Sequence, residues 1–174
     1  MGARSTQNDQ NVARRTQHAE RDVTPKPASE SATEMVQVVL PNDANPLGFI
    51  LGGTVMHLID IAGAIACHRH TRSLLVTAAV DGVQFLHPIK VGDLIILKSH
   101  VTCTFRTSLE VQVDVFSEET LTGKRLQTSR AFLTFVAVAR DGSRVPVPPL
   151  LMETDEEWQS DKRYLSQVTP STAY

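Results

Sequence analysis

Only two cysteines, Cys67 and Cys103, occur in 174 residues, a scarcity that excludes a disulfide-framed small domain. Charge of one sign is equally lacking. Seventeen Lys and Arg stand against nineteen Asp and Glu, a formal net charge of -2, so no global field draws the chain to nucleic acid or to an anionic membrane. Long hydrophobic runs are missing too: the longest, Thr54 to Cys67, is interrupted by His57 and Asp60 and falls short of the ~20 residues of a membrane-spanning helix. No membrane span is expected. The chain also lacks a G-x-S-x-G elbow, a Walker loop and a G-x-G-x-x-G turn, which leaves serine-nucleophile, nucleotide-hydrolysing and dinucleotide-binding chemistry without support. Without a secretory leader pattern, a reducing, cytoplasmic setting is the expectation.

What is present is unevenly distributed. Residues 1–33 carry three large apolar side chains, Met1, Val12 and Val23, among five basic and four acidic residues, too few to offset the entropy of ordering the segment. They read as a disordered arm, whose first six residues loosely fit an N-myristoylation pattern. Residues 153–174 read as a tail in which Trp158, Tyr164 and Leu165 could pack one short helix back onto the domain. The balanced stretch between them, 34–152, is long enough for one domain.

Within it there is one helical signal and several strand signals. Residues 52–67 are apolar on nearly every side, which is how a fully enclosed helix reads, and the helix is expected from about Gly53 to His70. A short strand, Met35 to Leu40, precedes it. Four more follow, at Leu74 to Phe85, Leu94 to Phe105, Leu109 to Phe116 and Arg130 to Ala139, rich in Val, Ile, Thr and Phe. Val111, Val113 and Val115 alternate with Gln112 and Asp114, so that strand has one wet face. Short turns such as Arg106-Thr107 and Thr122-Gly123 imply antiparallel hairpins. The class is therefore α+β, an antiparallel sheet wrapped around one long central helix.

Asp60 stands in the middle of that helix, among Leu58, Ile59, Ile61 and Ala62. An ionised carboxylate taken out of water costs several kcal/mol unless something pairs with it. Two readings follow: a structural acid bonded to a neighbouring loop or a dimer seam, or a base or nucleophile in a pocket that opens onto the helix. The pair Gly52-Gly53 offers free N–H groups at the positive end of the helix dipole, where a ligand oxygen can approach closely. Equally, two glycines can simply let the chain turn into the helix and pack.

The combination Asn45, Gly48, Gly52-Gly53 and Asp60 resembles the signature of the hotdog-fold acyl-CoA thioesterases, in the group of the YciA-type enzymes and the brain-type acyl-CoA hydrolases. Their pattern is an Asn, a Gly three residues on, a Gly-Gly pair opening the central helix and an Asp seven residues after the second Gly. Ile59 to Ile65 is similar to the family's helix, Val76 to Val80 to its next strand, and Phe85 to Asp93 to its F-x-x-P-I-x-x-G-D segment. The resemblance spans about residues 34–148. It implies hydrolysis of a fatty acyl-CoA to free acid and coenzyme A, with no cofactor beyond the coenzyme A of the substrate. Asn45 and Asp60 would be catalytic, Asp60 as general base or as nucleophile, with the backbone of Gly52 and Gly53 holding the thioester oxygen. In the family, Asn and Asp of one site come from different subunits, so a homodimer is implied, assembled further as a trimer of dimers. One departure is Leu51, where many relatives carry His or an aromatic residue. Hotdog relatives also include dehydratases and non-catalytic acyl-CoA sensors, and these remain the alternative readings.

Other residue types near these positions bear on the same chemistry. His57, three residues before Asp60 on the helix, is placed to orient the carboxylate. Arg106 and Ser108 at a hairpin, with Lys90 or Arg72, are candidates for the coenzyme A phosphates. Cys67-His68-Arg69-His70 has metal-ligand residue types but no second cluster, so no metal site is expected. His100 and Cys103 fall on opposite faces of their strand and cannot form a catalytic pair.

Overall fold

A computed structural model describes residues 23–152. Its elements in chain order are β1 (Lys26–Pro27), a 3-10 turn (Ala28–Glu30), β2 (Thr33–Val38), a 3-10 turn (Pro41–Asp43), α1 (Gly52–Thr71), β3 (Leu74–Phe85), β4 (Leu94–Thr104), β5 (Ser108–Glu118), β6 (Arg125–Val138) and β7 (Leu150–Leu151). Five strands form one sheet in the order β2-β4-β5-β6-β3, every neighbour antiparallel. This is the helix-in-sheet architecture expected from the sequence. The proposed tail helix around Trp158 and the first residues of the arm lie outside the described residues.

Alternation along the strands decides which side meets the helix. Val111, Val113 and Val115 are fully buried, while Gln112 and Asp114 turn to the other side. Against them α1 sets Val55, Leu58, Ile59, Ala62, Ala66 and Cys67, all in one core with Leu97, Leu133 and Phe135. Burying each such large aliphatic or aromatic side chain contributes about 1.5–3 kcal/mol. Helix and sheet meet closely at Gly63, where a Cβ would stand 3.1 Å from both Phe135 and Val111.

Two expectations are corrected. The helix is not enclosed on all sides: Gly53, His57 and His68 are exposed, and Asp60, Ile61 and Ala64 are only half-buried, a stripe at helical spacing that the sheet leaves open. Residues 26–33, assigned by composition to the arm, pack against the domain. β1 pairs in parallel with β7, Ala28 and Ser31 are buried, and the Ser31 hydroxyl accepts the Val101 N–H at 2.9 Å. Small and polar residues do this packing, which a count of large apolar side chains overlooks.

The two sheet edges are β2 and β3. β3 is twelve residues long, paired on one side only, and carries Leu74, Val76, Val80 and Phe85 exposed. No helix among the described residues is long and apolar enough to cross a membrane.

Candidate active site

The loop before the helix is held by its own hydrogen bonds. Asn45 Oδ1 accepts the N–H groups of Leu47 (2.9 Å) and Phe49 (3.2 Å), while the Asn45 N–H donates to the Phe49 carbonyl (2.8 Å). Gly48 closes this turn with a φ of +79°, a conformation that side chains other than glycine rarely adopt. Ile50 N–H to the Ile89 carbonyl (2.9 Å) and Val91 N–H to the Gly48 carbonyl (3.0 Å) sew the loop to the segment after β3. Because the turn occupies the carboxamide oxygen, the Asn45 side chain is left to act outward through its NH2 group, as a donor. The sequence leaves both capacities open, and the fold selects one.

From Leu51 the chain enters α1 with no side-chain cap, so the N–H groups of the first turn, Gly52 and Gly53 among them, project freely. A Cβ on Gly53 would meet nothing within 4 Å, and one on Gly52 would meet only the Phe85 ring at 3.8 Å. Packing within the chain therefore does not require these glycines. Beside them lies a cavity of about 410 Å³ lined by Asn45, Phe49, Gly52, Phe85, His87 and Ser129 with other apolar residues.

Asp60 does not line that cavity. Its Oδ1 accepts the Thr77 hydroxyl at 2.7 Å, which ties the half-buried carboxylate to the edge strand β3. The sequence offers His57 as a secondary candidate for this role. His57 is exposed, and the bond that holds Asp60 comes from Thr77 instead. Thr77 is the residue the sequence reading missed, and its only signal is a lone hydroxyl in the apolar run Val76 to Val80.

Arg106 and Ser108 stand at the opposite end of the sheet. The β4–β5 hairpin that holds them faces the last turn of α1, with Ser108 opposite Val136, whereas Gly52 is beside Phe85 at the far end of β3. Within one chain they do not share a site with Gly52. Of the other sequence candidates, Lys90 is exposed beside the Asn45 loop, bridged to Phe49, and Arg72 is exposed as the left-handed C-cap of α1. Among the described residues no group of three or more His, Cys, Asp or Glu could hold a metal. Burial pushes the Cys67 thiol far above its ordinary range, which makes it an inert core residue.

One long helix against an antiparallel sheet, entered through a bare glycine N-terminus beside an Asn turn, is the frame of the hotdog-fold thioesterases, and comparison with known proteins agrees. The model of the thioesterase superfamily matches residues 47–124. The uncharacterized acyl-CoA thioester hydrolase YkhA of Bacillus subtilis is 41% identical over 128 residues, covering 74% of each chain. The human cytosolic acyl coenzyme A thioester hydrolase is 33% identical over 135 residues, and there the match covers 76% of this chain and only 36% of the relative. Among solved structures, an apo-hexameric acyl-CoA thioesterase superposes with a TM-score of 0.78 at 40% identity, covering 82% and 92% of the two chains. The Staphylococcus aureus acyl-CoA hydrolase, solved with butyryl coenzyme A and coenzyme A, superposes with a TM-score of 0.73 at 33% identity, covering 82% and 91%. Variants of that enzyme replace an Asp, an Asn and a Thr by Ala, the Asn lying 15 residues before the Asp and the Thr 17 after it. The chain belongs to the acyl-CoA thioester hydrolases of the thioesterase superfamily.

Proposed function

We propose that the protein hydrolyses acyl-CoA thioesters to free acid and coenzyme A, at sites completed between two copies of the chain. The observation that carries this reading is the division of labour in one protomer: Asn45 and the bare helix start open into a cavity, while Asp60, held by Thr77, faces the unpaired sheet edge. The spacings from Asn45 to Asp60 and from Asp60 to Thr77 are 15 and 17 residues, equal to those between the three varied positions of the S. aureus hydrolase.

The thioester carbonyl oxygen is held by the N–H groups of Gly52 and Gly53, where negative charge develops in the tetrahedral transition state, with the Asn45 NH2 as a further donor. A donor of this kind is commonly worth about 10² to 10³ in rate. Asp60 of the other copy takes a proton from water through Oδ2 while the water oxygen attacks the carbonyl carbon. Collapse expels the coenzyme A thiolate, which leaves as the thiol once reprotonated by the acid formed. General base assistance typically contributes about 10² to 10⁴. The reaction needs no cofactor.

The exposed apolar side chains of β3 and the open stripe of α1 are the surfaces a second copy would cover, since a long unpaired edge with apolar faces is otherwise a liability. In such an assembly, Arg106 and Ser108 meet the phosphates of coenzyme A bound to a neighbouring subunit, and dimers associate further as in the hexameric relative. Two buried cysteines that form no disulfide with each other suit a cytoplasmic location.

Thiol release measured across a series of straight-chain acyl-CoAs tests the reading. Turnover by the wild-type protein, abolished in Asp60→Asn at unchanged oligomer size, is expected. Saturable binding of acyl-CoA without release would make the protein a sensor instead.

A further inference from the structure

Among the described residues that line the cavity beside Asn45 and Gly52, His87 alone is titratable. Its backbone is fixed from both sides. Leu86 N–H donates to the Thr128 carbonyl (2.9 Å) and Ile50 N–H to the Ile89 carbonyl (2.9 Å), so the turn that follows β3 is sewn to β6 and to the Asn45 loop. Pro88 also restricts the residue before it, keeping His87 out of helical backbone. The imidazole is exposed, whereas Val55 and Ile89 in the same wall are each only 2% exposed.

This gradient from buried to exposed orients a thioester. The acyl chain suits the buried apolar wall, and the coenzyme A moiety, whose phosphates need water, extends from the exposed mouth. The sulfur that joins the two therefore leaves the carbonyl on the side of His87. Asn45, Thr128 and Ser129 are the other polar side chains of the cavity, and an amide or a hydroxyl does not release a proton near neutral pH. An imidazole both gives and takes one in that range. An alkyl thiolate is still basic there, as the free cysteine thiol's ordinary value of about 8.5 shows, so its departure gains from a proton donor.

We propose that His87 is a catalytic residue, the general acid that protonates the sulfur of the departing coenzyme A. The inference rests on the thioesterase reading above. As the C–S bond breaks, the imidazolium N–H passes its proton to the sulfur, and coenzyme A leaves as the thiol. The neutral imidazole recovers a proton from solvent, and Asp60 gives up to solvent the proton it took from water. Asp60, which does not line the cavity, is thereby spared carrying that proton across to the sulfur.

The test measures thiol release by wild type, His87→Ala and His87→Gln from an acyl-CoA and from the 4-nitrothiophenyl thioester of the same acid, whose weakly basic thiolate leaves without a proton. With acyl-CoA, kcat is expected to fall about 10²-fold in both variants, with KM little changed. The fall on the aryl thioester is expected to be much smaller. Added imidazole should restore kcat in His87→Ala but not in His87→Gln, whose side chain fills the space, a rescue that a merely structural role would not give. Equal losses on the two thioesters overturn the inference and assign the imidazole to a step before the sulfur leaves. A loss confined to KM, or a kcat of His87→Ala equal to that of wild type, also overturns it, and in each of these cases the thioesterase reading stands. Failure of the wild type to cleave any acyl-CoA removes both.

Discussion

The two ends of α1 are built on opposite plans. At the C-terminal end the chain bonds to itself at several points. The Thr71 hydroxyl donates to the Cys67 carbonyl (2.9 Å), the Arg72 N–H to the His68 carbonyl (2.9 Å), His68 Nδ1–H to the Ser73 carbonyl (2.8 Å) and His70 Nε2–H to the Pro148 carbonyl (3.0 Å). Basic residues in that last turn also suit the negative end of the helix dipole. At the N-terminal end there is no side-chain cap, two glycines, and a cavity. A helix end closed by its own protein contributes stability. One left open leaves the donors of its first turn without a side-chain cap.

The comparison can be broken most forcefully at Asp60. Asp60→Asn keeps the shape and the acceptor for Thr77 but removes the base, and kcat is expected to fall by about 10² to 10⁴ with an unchanged elution volume. Next comes the open end itself. Asn45→Asp preserves the oxygen that Leu47 and Phe49 need, loses the NH2 donor and sets a negative charge beside the developing oxyanion, for an expected loss of about 10² to 10³ in kcat/KM at wild-type Tm. If Asn45→Asp were as active as wild type, the Asn turn would be structural only. Thr77→Val unties the carboxylate without removing it, so a drop of about tenfold in kcat with little change in KM is expected from steady-state kinetics.

The smallest effect belongs to the closed end. Burial holds the His70 imidazole below its ordinary value of 6.5, opposed by the Pro148 carbonyl, with Lys26 lowering and Glu30 raising it further. Its Nδ1 is buried without a partner. The unfolded chain thus binds a proton that the folded chain resists, so this contribution to stability is complete above pH 6.5 and is lost as pH falls from there toward the lower folded value. Thermal unfolding between pH 7.5 and 5 should therefore show a steeper decline for wild type than for His70→Gln, which does not titrate, and parallel curves would clear His70 of the effect.

Much of the fold was legible because the determinants are local. The alternation of Val111, Val113 and Val115 and the long, largely apolar run of the helix specify their elements by spacing alone. Other features depend on what is brought together at a distance. Ile61 and Ala64 read in sequence like Leu58 and Ala62, yet the first two face the open side, since an apolar residue awaiting a partner surface looks the same as one in a core. Thr77 meets Asp60 only through the placement of β3 against the helix, and no periodicity reveals it. His57 is nearer in sequence and on the same stripe of the helix, yet the carboxylate bonds to Thr77. Arg106 and Ser108, suggestive as a basic hairpin, turn out to occupy the end of the sheet away from Gly52, which moves any role of theirs to another subunit.

Mixing two inactive variants asks most directly whether each site draws on two chains. Asn45→Ala and Asp60→Asn proteins, unfolded together at equal amounts and refolded, or co-expressed, should regain about a quarter of wild-type thiol release, because half of randomly formed dimers are mixed and each mixed dimer carries one intact site. Should the mixture stay as inactive as its components while forming mixed oligomers, Asn45 and Asp60 would have to act within the same chain.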